Sequence, residues 1–215
     1  MSFQAAHLRF AQKVQDIIHP QDLTGYFSGT LYPDSRYITK VDRAKTHTDV
    51  RIEPRKILDL TDDFDKGWQV HLWYDKLGLH HLDQIVLNRS WTPNDADNVE
   101  VWSQLTGAKL VEDLYWWQNT DWPQILPYLK FTANPHQEDP AILQNWYQHF
   151  IDFYQKQPDL QAYRQQAKFM GIDPEKIELI LQSAQNLYDD QPKRELIEKV
   201  MEQVIEEFKN LLINP

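Results

Sequence analysis

The chain carries eight histidines and no cysteine, and several of its imidazoles and carboxylates are spaced for metal chemistry. His71 and Asp75 stand four residues apart, so on a helix both side chains leave one face on consecutive turns and can grip a single cation. The plainer use of the same spacing is a His–Asp hydrogen bond along a helix surface. Asp75 falls on an otherwise apolar stripe of Phe64, Trp68, Leu72, Leu79 and Leu82. A buried carboxylate without a partner is costly, so an arginine, a set of hydrogen bonds or a metal must hold it. His7 lies between Phe3 and Phe10 on a second apolar stripe, where a lone histidine reads first as a satisfied core residue. Asp34 closes the segment GYFSGTLYPD, read here as a glycine-punctuated loop that fixes the carboxylate's orientation; His47 sits in THTD, and His81 follows Asp75 by six residues. Imidazole and carboxylate ligands without thiolates suit a divalent metal in a hydrolytic site, zinc first and manganese or iron as alternatives. Calcium or magnesium alone would not call for so many histidines.

The ordered set resembles the zinc-dependent phospholipase C family, whose helical architecture is shared with single-strand-specific zinc nucleases. That pattern has a His on the first helix, a Gly-containing segment ending in Pro-Asp, a Thr/Ser-His, then a Gly-x-x-x-His-x-x-x-Asp helix with a further His six residues on. Here these are His7, GYFSGTLYPD ending in Asp34, His47, and GWQVHLWYD with His71 and Asp75, followed by His81. They span roughly the first 90 residues. The resemblance implies that Asp34, His47, His71 and Asp75 form one metal site, that Asp75 bridges to a second metal also held by His7, and that His81 serves a further ion. No His-x-x-x-Glu follows His81, which points to one or two metals rather than three.

A divalent ion would lower the pKa of a bound water to about 7 and take up charge on a phosphoryl group. Asp34 is then the candidate water-orienting carboxylate beside the bridging Asp75. Arg36, Arg43 and Lys45, close in sequence to the ligands, are candidates for binding phosphate, although each taken alone reads as surface charge. The expected reaction is hydrolysis of a small phosphoester. The alternative is a metal-stabilised helical scaffold or interaction module without activity.

The elements that must position these residues are helices. Phe3, His7, Phe10, Val14 and Ile17 recur at helical steps behind Ser2, a candidate N-cap. Residues 19–59 carry turn chemistry; helical periodicity resumes over 62–87 and 95–117. Asp139-Pro140 and Asp173-Pro174 each announce a helix start, and 193–212 carries a stripe of Ile197, Met201, Val204, Phe208 and Leu211. No strand pattern of useful length occurs. The expectation is one all-α domain over 1–215: a phospholipase C-like multi-helix core in 1–90, with additional C-terminal helices over 91–215 packed on it.

Composition narrows the partners. The net charge of -10 argues against a duplex nucleic-acid binder, which needs a basic surface to displace counterions. No run of 18 apolar residues exists, so no stable membrane insertion is expected. Arg9 interrupts the stretch a signal peptide would need, which points to a cytoplasmic protein. The last helix shows a polar face of Glu195, Glu198, Glu202, Glu206 and Glu207, unlike the Lys/Arg-rich face of interfacial helices. A lipid substrate is therefore disfavoured, and that helix is expected to pack on the core or on a second subunit in a homodimer.

Overall fold

The computed structural model describes residues 3–47, 53–95 and 97–213. They form an all-α fold, with no strand among the described residues. In chain order α1 spans Gln4–Ile18, α2 Leu23–Leu31, α3 Arg36–Thr39, α4 Arg43–His47, α5 Asp63–Leu87 and α6 Val99–Gln118. The second half adds α7 (Pro140–Tyr154), α8 (Leu160–Phe169), α9 (Pro174–Asp189), α10 (Gln191–Glu198) and α11 (Val200–Ile213). Short 3-10 turns, Tyr32–Ser35 among them, join several of these. No helix among the described residues is long and apolar enough to cross a membrane.

Most of the helix starts are chemically marked. α2, α5, α6, α7, α8, α9 and α10 each open on an Asp or Asn whose side chain accepts one or more of the first backbone N–H groups. Proline in the first turn of α7, α9 and α10 removes a donor that would lack a partner there anyway. α1 is different. Its N-cap position is Phe3, which offers no side-chain bond, and Ser2 lies outside the described residues. Asp113 of α6 caps it from across the fold, where its Oδ1 accepts from the Ala5 amide at 2.6 Å and the Ala6 amide at 3.3 Å. The Tyr154 and Tyr163 hydroxyls donate to its Oδ2 at 3.0 and 2.6 Å. Burial still raises the Asp113 carboxyl to about 6, against the pull of these bonds.

Two departures from the sequence expectation concern helices. The stretch 19–59 is not turns alone: it holds α2 despite Gly25 and Gly29, because Asp22 caps it and its glycines let its backbone lie directly on α5. A Cβ added at Gly29 would stand 2.0 Å from the Phe64 carbonyl oxygen, and one at Gly67 1.9 Å from that of Tyr26. At the other end, the single helix expected over 193–212 is two, α10 and α11, meeting at Lys199. Ile197, Met201, Val204 and Phe208 are fully buried in this chain's own core, while Leu211 is exposed and Leu212 takes the inward place. Phe208 packs edge-on against Phe10 of α1 and lies beside Trp73 of α5. The apolar core thus runs continuously from α1 through α5 and α6 to α11.

Candidate metal centre

Four elements bring the candidate ligands together. α1 carries His7, the 3-10 turn after α2 carries Asp34, α4 ends on His47, and α5 carries His71 and Asp75. The His71 and Asp75 side chains do leave one face of α5, with Nε2 3.7 Å from Oδ2. His47 Nε2 lies 3.7 Å from the same Oδ2 and 3.4 Å from Asp34 Oδ1. His7 Nε2 lies 3.4 Å from Asp75 Oδ1. Among the described residues two triplets could hold an ion, His7 with His71 and Asp75, and Asp34 with His47 and His71.

The imidazoles are oriented from behind. His71 Nδ1 is 2.8 Å from the Thr30 carbonyl, and His7 Nδ1 is 3.3 Å from the Phe3 carbonyl. A carbonyl only accepts, so each Nδ1 carries a proton, and each ring turns its Nε2 toward the carboxylates. Both Nε2 atoms are buried without a hydrogen-bond partner. That combination is how metal-ligating histidines are held, with the second nitrogen fixing tautomer and ring direction. The separations agree: at 3.4–3.7 Å these N···O pairs are too long for good hydrogen bonds. The two at 3.4 Å fall within, and the two at 3.7 Å lie just beyond, the roughly 3.3–3.5 Å edge of a tetrahedron whose ligands lie about 2.0–2.1 Å from a zinc ion. The residues present therefore fit a divalent metal.

His47 is fixed through its segment. Its Nδ1 is 2.8 Å from the Thr46 hydroxyl, while the Trp68 indole N–H donates to the Thr46 carbonyl at 2.8 Å. His136 Nε2 reaches the Lys45 carbonyl at 3.3 Å from the loop before α7. Asp34 Oδ2 accepts from Gln4 Nε2 at 3.0 Å, which ties α1 to the turn.

The electrostatics favour ionised carboxylates at Asp34 and Asp75 and a neutral ring at His71. Burial would raise Asp34, but the His47 and His71 imidazoles hold it below the usual carboxylate range. Burial would likewise raise Asp75, and Lys109 foremost, with His7 and His71, holds it well below. His71 is pushed down to about 3, first by burial and then by His7. Its folded pKa lies below the unfolded value of about 6.5, so the unfolded chain takes up a proton that the fold excludes. Stability from this group is complete above about pH 6.5 and drains away as pH falls toward 3. Metal-free protein should therefore lose about 2 kcal/mol between pH 8 and pH 5 that His71→Asn does not lose. Urea midpoints of both proteins across that range are the measurement; equal losses would mean that His71 is not held neutral.

The remaining expected residues are placed differently. His81 lies outside the cluster, because six residues past Asp75 it faces α11 instead, with Nε2 3.1 Å from the Glu207 carboxylate. Arg43 and Lys45 are exposed on α4, one turn or less before His47, and the Arg36 guanidinium lies over the Tyr37 ring at 4.2 Å. Tyr37 feels both sides: burial and the Asp34 carboxylate raise its hydroxyl, and Arg36 and Arg43 work against them.

The sequence reading missed two groups on α6. Lys109 Nζ lies 3.3 Å from Asp75 Oδ1, and Glu112 is fully buried with the Tyr74 hydroxyl on its carboxylate. Burial raises Glu112 to about 7. With His7, Tyr74 and Asp75 they line a cavity of about 10 Å³, room for roughly one water. The signal that could have found them is the run Lys109-Leu110-Val111-Glu112-Asp113, charge set in the middle of an otherwise apolar helix. The side chains of His7, Asp34, His47 and His71 are 4% exposed or less, whereas Asp75 is 21% and Lys109 17% exposed, so solvent meets the group on the Asp75–Lys109 side. No family model matches this chain, and no curated protein or solved structure is significantly similar to it.

Proposed function

We propose that this protein is a metal-dependent hydrolase of small phosphoesters, its ion held by Asp34, His47, His71 and Asp75. The observation that carries the proposal is His71, whose Nδ1 is tied to the Thr30 carbonyl while its buried Nε2, without a hydrogen bond, faces Asp75 and lies in one group with Asp34 and His47. The order of the ligands along the chain, which resembles the zinc-dependent phospholipase C pattern, supports phosphoester chemistry and a related helical core. Zinc is the metal this donor set suits best, with manganese or iron as alternatives. A bound divalent ion would supply a hydroxide near neutral pH and a Lewis acid for the phosphoryl oxygens.

The chain's own residues do the rest. Thr30 and Phe3 hold the rings in their ligating tautomer through backbone carbonyls. Gln4 fixes one oxygen of Asp34 and leaves Oδ1 facing the centre, where it can orient a water by accepting a hydrogen bond. Arg36 on α3 and Arg43 and Lys45 on α4, close in sequence to Asp34 and His47, are the cations proposed to engage a phosphate.

The small cavity beside Asp75 favours a second reading, a metal-stabilised helical scaffold without turnover, since it takes a water and no substrate. One experiment separates the two. Protein purified without chelator should contain near-stoichiometric metal and hydrolyse bis-p-nitrophenyl phosphate. Metal without turnover on a panel of phosphoesters would leave the scaffold, and protein that takes up no metal would overturn both.

A further inference from the structure

The two oxygens of Asp75 face different company. Oδ2 looks toward His47 and His71, each 3.7 Å away, and these belong with Asp34 to the ion position proposed above. Oδ1 looks toward His7 Nε2 at 3.4 Å and toward Lys109 Nζ at 3.3 Å. Were Asp75 to bridge two metals, the second would have to sit on Oδ1 beside His7. A divalent ion bound to that oxygen at about 2.1 Å would stand within about 5.4 Å of the ammonium. Both would be cations on one carboxylate oxygen at a mostly buried position, where charges of like sign repel far more than in water.

We infer that the Lys109 ammonium takes the place of a second metal ion at Asp75 Oδ1, so that the centre is mononuclear. This rests on the metal-binding reading and deepens it. α6 sets the position of Lys109: three residues on, Glu112 lies in the same cavity wall, and the next residue, Asp113, is bonded to the first turn of α1, the helix that carries His7. The lysine therefore approaches Asp75 through Oδ1, the oxygen that His7 also faces, and not through the Oδ2 that His47 and His71 face. A fixed single charge neutralises the outward oxygen of Asp75 without a second ion, and it stands where solvent meets the group. Lys109 acts here as a positioning residue that sets how many ions the carboxylate can carry.

The test is a zinc count per chain, by native mass spectrometry and by titration against a weak chelator that strips surface ions. Wild type is expected to hold one zinc ion, Lys109→Arg also one, and Lys109→Ala two, because His7, Asp75 Oδ1 and Glu112 are then left to a second ion. Circular dichroism checks that the variants fold, and wild type with Lys109→Arg decides the matter should the alanine variant fail to do so. Two ions in wild type, or one in a folded Lys109→Ala, would overturn the inference while leaving the metal centre standing. No ion in any of the three proteins would overturn both.

Discussion

Replacing Gly67 with alanine is expected to cost the fold about 3 kcal/mol or more and to weaken metal binding with it. The added Cβ would stand 1.9 Å from the Tyr26 carbonyl oxygen and 2.8 Å from the Thr30 amide nitrogen. Both are backbone atoms of α2, so no rotamer change relieves the clash and the two helices must part. Parting them also moves the Thr30 carbonyl away from His71 Nδ1, a contact now at 2.8 Å. The ring would lose the bond that fixes its tautomer, and loss of such a partner typically weakens metal binding by about 10- to 100-fold. Gly78→Ala on the same helix is the control, since its Cβ meets nothing nearer than the Tyr74 ring at 3.8 Å. That change should be neutral, or stabilising by up to about 1 kcal/mol through helix propensity. Urea denaturation and a zinc competition titration on both variants give the comparison, and a Gly67→Ala protein as stable as Gly78→Ala would contradict the packing described.

Asp75→Asn should lower zinc affinity by more than the roughly 100-fold attached to losing an outer-shell partner, because the proposed centre makes Asp75 a direct ligand. Asparagine keeps the shape of the side chain and removes its charge, so packing on α5 is disturbed little. The carboxylate now faces His7, His47, His71 and Lys109 within 3.3–3.7 Å, and no other acidic side chain among the described residues meets all four. Hydrolysis of bis-p-nitrophenyl phosphate should fall to background with it. His81→Ala should leave both unchanged, since His81 is paired with Glu207 on α11. An Asp75→Asn protein that binds zinc within about tenfold of wild type would remove Asp75 from the ligand set.

What the sequence made legible follows from how local each signal is. Helices α5, α7 and α9 could be read because an Asp cap and an apolar period are written in neighbouring residues. His71 and Asp75 share a face for the same reason, since helical spacing settles it. α2 was hidden because its glycines, which read as turn residues, serve instead as the contact surface for α5. That role exists only once the second helix is present. The break at Lys199 was hidden by a stripe that continues across it in sequence. Lys109 and Glu112 escaped notice since nothing within α6 says which of its charged residues meets a carboxylate 34 positions earlier.

The cap on α1 ties the helix that bears His7 to chain that is far away in sequence. The first backbone amides of the helix that bears His7 find their acceptor in Asp113, and the hydroxyls that steady that acceptor come from Tyr154 and Tyr163. A polypeptide emerging from the ribosome therefore has every proposed ligand in hand by residue 75, yet its leading helix gains the Asp113 acceptor only with α6, and the hydroxyls that steady it only with α7 and α8. The wall of the proposed centre that His7 supplies is for that reason completed last in a new chain, and the first 75 residues would not carry that wall into another protein by themselves.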